Sequence, residues 1–524
     1  MKILFKIINI SVVIVALSFL SCDIKSPVED VKLIINANQI ATMISVSVVN
    51  SATMQPLGFN GSTPSGSLAN SLNVGILGNS AGFINNIQGQ PLTALTSSYG
   101  IFNFAVDQSF TPSQSNPLEL NLTISAPGFL SANLPVVLTS PGGHSFTCPL
   151  VSLTSPPEGV LVNTGTPIST NISGTITDYV LTAGDASTMG VSLNIPQGTK
   201  FFAVGDVNHQ NPLVGNFQTT VAYFDPREES ALRVFPGGFF VDTDQGPGLF
   251  TTAGFAAIEI YQGSTKVGYF DKAVTISMIV PASVKKFDGS AIQNGDEIPV
   301  WSMDPAEGTW APEGTGILTS NGSGGFTVVT KTNHLSWWNW DWFQGAYCTY
   351  GLNLCVTGCY TSVLLKAYNL ITGAYLKSYW VSASDPCIQF IYVPDNLPVR
   401  IEAWTYWGGT KVGSIDISDL CGPDMNFPIS LGGGQSVDVT VEGYCPDDPD
   451  VVVRPSIDIW IYDPTAGWRY GGYMRDGHVI FNCLQVPNTY IFGVWYDNNW
   501  YDEPYDVTQT SYYFSMEFPQ DLCN

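Results

Sequence analysis

The feature that most limits this chain is a long succession of short segments in which apolar and polar residues alternate. Examples are "ISVSVVN", "NVGILG", "IFNFAVD" and "LELNLTISA" early on, then "IQFIYVP", "VRIEAW" and "TYIFGVWY" towards the end, with glycine, proline, asparagine and serine between them. A period of two places successive side chains on opposite faces of an extended backbone, and frequent turn residues leave no room for long helices. The expected fold class is all-β, built as tandem antiparallel β-sandwich modules. At 524 residues the chain is too long for one core. About 100–200 residues per domain gives three or four.

Charge excludes one class of partner. The formal net charge is −24, from 43 acids against 19 bases, and no basic cluster lies beyond the N-terminus. Such a field repels phosphate backbones, so nucleic acid is not an expected partner. Solvated acidity is the plain reading of this charge, and divalent cations are the functional alternative. Asp242-x-Asp244-x-Gly246 is a fragment of a Ca2+ loop that lacks the downstream glutamate, so it reads better as an acidic turn. No cofactor is expected, with Ca2+ at Asp242 and Asp244 the weak alternative.

The first 21 residues have the layout of an export signal. Lys2 and Lys6 precede an apolar run from Ile7 to Leu20, which ends at Ser21-Cys22. The segment resembles a bacterial lipoprotein signal, although Phe19 stands where that family more usually has an aliphatic residue. The resemblance implies that Cys22 is lipidated and becomes the mature N-terminus, with residues 22–30 as a tether. The membrane is then a partner through the lipid, and the expected location is the outer membrane or cell surface.

Cysteine usage fits export. Apart from Cys22 and the isolated Cys148, eight cysteines crowd the last third: Cys348, Cys355, Cys359, Cys387, Cys421, Cys445, Cys483 and Cys523. An even cluster in an exported chain reads as disulfides, and their pairing stays open. Cys355-x3-Cys359 has tolerable spacing for a metal, but no second pair or nearby histidine completes a zinc site.

Four modules are expected. Residues 31–155 form the first, and its stretch "SSYGIFNFAV" to "APGFLSANLPVVLTS" resembles the carboxypeptidase regulatory-like, transthyretin-type module. That resemblance implies a Greek-key sandwich used as a scaffold or binding element, without catalytic residues. Residues 160–343 form the second module. Its arrangement resembles the extracellular domains of cartilage intermediate layer proteins, and its end resembles the self-cleaving segment of GAIN domains, on Trp301, Trp310, Gly314 and Asn333-His334-Leu335-Ser336. Residues 346–444 form a cysteine-rich sandwich and 451–524 a C-terminal one. These two share a weak repeat consistent with Ig-like, transthyretin-like or Cna protein B-like modules, and "CPDDPDVVVRP" between them reads as a linker.

Two candidate sites lie in "NHLSWWNWDWF". If the GAIN-like resemblance carries chemistry, His334 takes the Ser336 hydroxyl proton and the oxygen attacks the Leu335 carbonyl, giving an ester that water splits. The receptor segment's cysteines are absent here, and a bulky final strand is also an ordinary way to close a sandwich. Period two puts Trp338, Trp340 and Trp342 on one face with His334 and Ser336. These indoles are either the packing of a domain junction or an exposed platform for a sugar or another flat ligand. GxSxG, a P-loop and HExxH are all missing. The expected function is a surface-anchored binding, adhesion or structural role towards a glycan, matrix component or protein. It is not that of an enzyme acting on external substrates. Autocatalytic cleavage between Leu335 and Ser336 is the alternative.

Overall fold

Alternation produces strands here, and the strands are buried on both faces more often than a lone sandwich would require. In the computed structural model, which describes residues 33–35 and 40–517 except 67, 69, 70, 186, 384, 447, 466 and 497, nearly all regular structure is β. The strand Thr42–Asn50 shows the reason for the double burial. Ile44, Val46 and Val48 point into the first module, while Met43 joins the apolar interior of the fourth. Ser45, on the outward face with Met43, is fully buried against that same module.

Three modules share one topology. In the first, the main strands are Thr42–Asn50, Leu72–Leu77, Ala94–Ser97, Ile101–Val106, Leu118–Ser125, Ala132–Leu138 and Gly142–Leu150. The first of these pairs with the fourth and the seventh, while the others form a second sheet in the order third, second, fifth, sixth. The cysteine-rich module repeats this order with Cys348–Cys359, Ser362–Asn369, Tyr375–Ser382, Cys387–Val393, Val399–Trp404, Lys411–Ile417 and Met425–Ser430. The last module does so with Gln435–Cys445, Ile457–Asp463, Gly467–Met474, His478–Leu484, Asn488–Tyr496, Asn499–Val507 and Ser511–Glu517. The repeat visible in the sequence of the last two modules thus extends to the first. Among these seven strands neighbours are otherwise antiparallel, but in all three modules the first and seventh run parallel.

Two boundaries differ from those read in the sequence. Gln435–Cys445, expected to close the third module, opens the fourth: Val437 and Val441 enter that module's core, so the division falls at Gly432–Gly434. The supposed linker contains a strand, Asp448–Val453, which returns on Gln435–Cys445 as a hairpin. Leu33–Ile35, expected in the first module, instead pairs in parallel with residues 451–453. Period two says that a segment is a strand with one face inward, but not whose interior it enters.

The second module is the largest sheet system, and its last strand, Trp337–Gly345, lies between Gly248–Gln262 and Glu297–Met303. Apolar clusters cross the module boundaries. Trp337 and Phe250 share one with Leu365 and Phe390 of the third module, and Trp460, Trp468, Trp495 and Trp500 of the fourth share another with Phe102 and Phe104 of the first.

Among the described residues three disulfides form. Cys348–Cys421 and Cys355–Cys387 staple the third module, and Cys359–Cys483 ties it to the fourth. Cys22, Cys523 and the side chain of Cys445 lie outside the described residues. Cys148 is a free, buried thiol, and burial pushes its pKa up to about 12, which keeps it protonated and unreactive.

Candidate functional site

The segment resembling a self-cleaving site lies where the chain leaves one strand for another. Gly325–His334 ends at the histidine, Leu335 and Ser336 cross over, and Trp337 begins the next strand. The crossing is pinned by the Leu335 amide, which donates to the Gly268 carbonyl at 2.9 Å. His334 Nε2 lies 2.9 Å from Glu313 Oε1, and Ser302 Oγ donates to that same oxygen at 2.6 Å. The His334 hydrogen bond lowers the Glu313 pKa. The Ser336 hydroxyl donates elsewhere, to the Met303 carbonyl. Histidine and serine are neighbours in sequence, but the proton path between them is not formed.

The three indoles offered as a ligand platform are inside the protein. Trp338 and Trp340 are 0% exposed and Trp342 is 8% exposed, within the second module's own core. Trp340 Nε1 donates to Thr330 Oγ1 and Trp342 Nε1 to the Glu297 carbonyl. These residues therefore present no face to a ligand, and they do not form the junction with the third module either. That junction takes the opposite face of the strand, through Trp337 and Phe343. The strand has the second module's core on one face and the cluster shared with the third module on the other, and alternation alone cannot distinguish this from a half-exposed strand.

Asp242-x-Asp244-x-Gly246 forms a turn held by its own backbone. The Trp310 amide donates to the Asp242 carbonyl, the Asp244 amide to the Trp310 carbonyl, and Thr243 Oγ1 to the Gly246 carbonyl. Among the described residues no group of three or more potential ligands is arranged around a cation.

A cavity of about 490 Å³ does occur, where the first three modules meet. The first module contributes Ala132–Leu138 and residues 144–149, the second the loop 233–242, and the third parts of Tyr375–Ser382 and Cys387–Val393. The exposed residues Gln114 and Cys387 mark where it reaches solvent. Its volume is in the usual range for small-ligand sites.

The polar groups around this cavity come from distant parts of the chain. Burial raises the carboxyl pKa values of Glu119 and Asp242, with the Asp242 charge adding to the first and the Asp244 charge to the second. Asp385 is likewise raised by burial, partly offset by His144, whose Nδ1 lies 3.8 Å away. Tyr392 takes a left-handed backbone conformation at φ 61°, costly for a bulky residue and the kind of local strain that clusters at functional sites. Lys377 and Arg233 supply the positive charge. Apart from Asp242, which lies in the acidic turn, no local motif announces these residues, because each becomes a neighbour of the others only when three modules pack.

No protein-family model matches the sequence, and no curated protein matches it. Among solved structures, the Bacillus anthracis TIE protein is similar over 69% of this chain at 9% identity and a TM-score of 0.14, the match spanning 58% of that protein's length. A streptococcal ancillary pilin is similar over 44% of this chain and 93% of its own, at 8% identity and a TM-score of 0.14. The full-length RrgB pilus protein of Streptococcus pneumoniae covers 90% of this chain and 93% of its own, at 8% identity and a TM-score of 0.12. Scores this low carry no functional weight.

Proposed function

We propose that this is an exported, lipid-anchored surface protein with a binding role, in which the cavity among the first three modules is the ligand seat. Cys22 is the anchor in this reading, and a glycan, matrix component or protein is the partner. The observation that carries it is the cavity itself: about 490 Å³ that no single module could enclose, containing an amine with no carboxylate partner among the described residues. Purely structural packing seldom leaves a desolvated charge unpaired. Trp310, Trp380 and Trp407 border the space, so an occupant alters tryptophan emission. A glycan and matrix-protein panel read by emission should yield a ligand whose binding Ser378→Trp abolishes by filling the cavity. A ligand that binds this variant as well as the parent would place the binding surface elsewhere.

Self-cleavage remains the second reading, favoured by the oriented Glu313–His334 pair beside Ser336. It requires the Ser336 hydroxyl to leave the Met303 carbonyl and reach the imidazole. The expected result on a denaturing gel under reducing conditions is a single band of mature length. Two fragments joining at Leu335–Ser336, and lost in Ser336→Ala, would reverse this preference.

A further inference from the structure

We propose that the cavity selects acidic sugars, with the Lys377 ammonium receiving the sugar's carboxylate and the Arg233 guanidinium adding positive charge to the same space. The proposal rests on the reading of the cavity as a ligand seat and names the ligand's chemistry.

The protein carries 43 acids against 19 bases, so a lysine here would be expected to find a carboxylate. Lys266 and Lys366, the other lysines held largely away from water, do so, whereas lysines without a carboxylate such as Lys272, Lys285 and Lys331 are exposed to solvent. Lys377 does not, since no carboxylate of the described residues approaches within salt-bridge distance. Its stem lies along Gly238, which at φ +79° has no Cβ to occupy that space; a Cβ there would come within 3.0 Å of the lysine chain. Its amine is left over the Tyr379 ring, 5.5 Å from the centroid. Burial pulls its pKa down to about 8, so at neutral pH the amine is still charged and has lost hydration that an anion would restore.

Arg233 adds a second cation. One of its terminal nitrogens donates to the Ser51 carbonyl and the guanidinium stacks 5.0 Å from the Trp407 ring, yet its Nε is buried without a partner among the described residues, as is Trp407 Nε1. Glu229, the acid nearest in charge coupling, is already engaged by the Lys366 amine at 2.6 Å and the Tyr368 hydroxyl at 2.7 Å. Tyr375 is electrostatically coupled to Arg233, and period two places Tyr375 and Lys377 on one face of their strand, two residues apart. Two cations and two orphan N–H donors therefore border one cavity.

Glu119 and Asp242 supply the opposite requirement. Carboxyl groups partly removed from water accept hydrogen bonds from hydroxyls, and they disfavour a ligand that is anionic throughout. A ring with one carboxylate and several hydroxyls matches both sets of groups. A peptide's free carboxylate would satisfy only the cations, since its backbone offers few donors to the two acids.

The test is a titration of the full chain with a galacturonic acid disaccharide and with the neutral galactose disaccharide, followed by calorimetry at low salt. A charge-assisted contact of this kind is worth about 10- to 100-fold in affinity. We expect the acidic sugar to bind at least about tenfold more tightly than the neutral one. Lys377→Met should remove that advantage, Lys377→Arg should restore it, and acidic-sugar binding should weaken as pH rises through 8. Equal affinity for both sugars, or wild-type affinity in a folded Lys377→Met, would overturn the acidic selectivity while leaving the ligand seat standing. Failure of both sugars to bind, alongside a partner whose binding Ser378→Trp does not affect, would overturn both.

Discussion

Trp340→Ala is expected to destabilise the second module by about 3–5 kcal/mol, the usual range for truncating a buried tryptophan. The residue has 0% exposure. It sits on a strand with hydrogen-bonded neighbours on both sides, opposite Gly254 and Val300. Its removal would leave a cavity that neither neighbour can collapse to fill, and would strand the Thr330 hydroxyl. Chemical denaturation followed by intrinsic fluorescence measures the loss; a change below about 1 kcal/mol would mean that the indole is not packed as described. A subtler comparison separates packing from hydrogen bonding. Trp338 Nε1 has no partner among the described residues, so Trp338→Phe should cost less than Trp340→Phe, which removes a donor from Thr330.

The second large effect is on pH. Asp458 is fully buried between the first and fourth modules, where Ser45 Oγ donates to it at 2.6 Å and the Tyr470 hydroxyl at 2.9 Å. Burial raises its pKa to about 6, against hydrogen bonds from Ser45, Tyr470 and Asn103 that lower it. The titratable groups coupled to it are Tyr470 and Tyr473, with no cation among them. Because the folded value lies above the unfolded one of 3.8, the contribution is fully present below about pH 4 and is lost as pH rises through about 6. The difference is about 3 kcal/mol between pH 4 and pH 8. Other carboxyl groups titrate over the same range, so the quantity to measure is the difference between the wild type and Asp458→Asn at each pH. The variant should lose this part of the slope. Parallel stability curves for the two proteins would refute the assignment.

How much of this was legible in the sequence follows from the range of each signal. The strands of Ile101–Val106 and Leu118–Ser125 could be read from alternation, because their periodicity is local. The disulfide character of the cysteine cluster was also legible, but the bond from Cys359 to Cys483 depends on how two modules pack. The tryptophan strand misled because Trp338 and Trp340 alternate as they would on an open sheet, while a second layer covers the face that carries Trp337. The cavity was invisible for a related reason. Arg233 and Lys377 are 144 positions apart, and only the docking of the second module against the third brings them to one space.

The pairing of Leu33–Ile35 with residues 451–453 and the bond from Ser45 to Asp458, across a separation of 413 residues, also dictate an order of assembly. A chain made from its N-terminus completes its first module before the partner surface exists. Met43 and Ala105, which finally lie in the fourth module's interior, stay uncovered through that interval, as does the outward face of their sheet. Covering that face takes contacts across about 400 residues of sequence, so the first module's interior is completed only when the last module is in place.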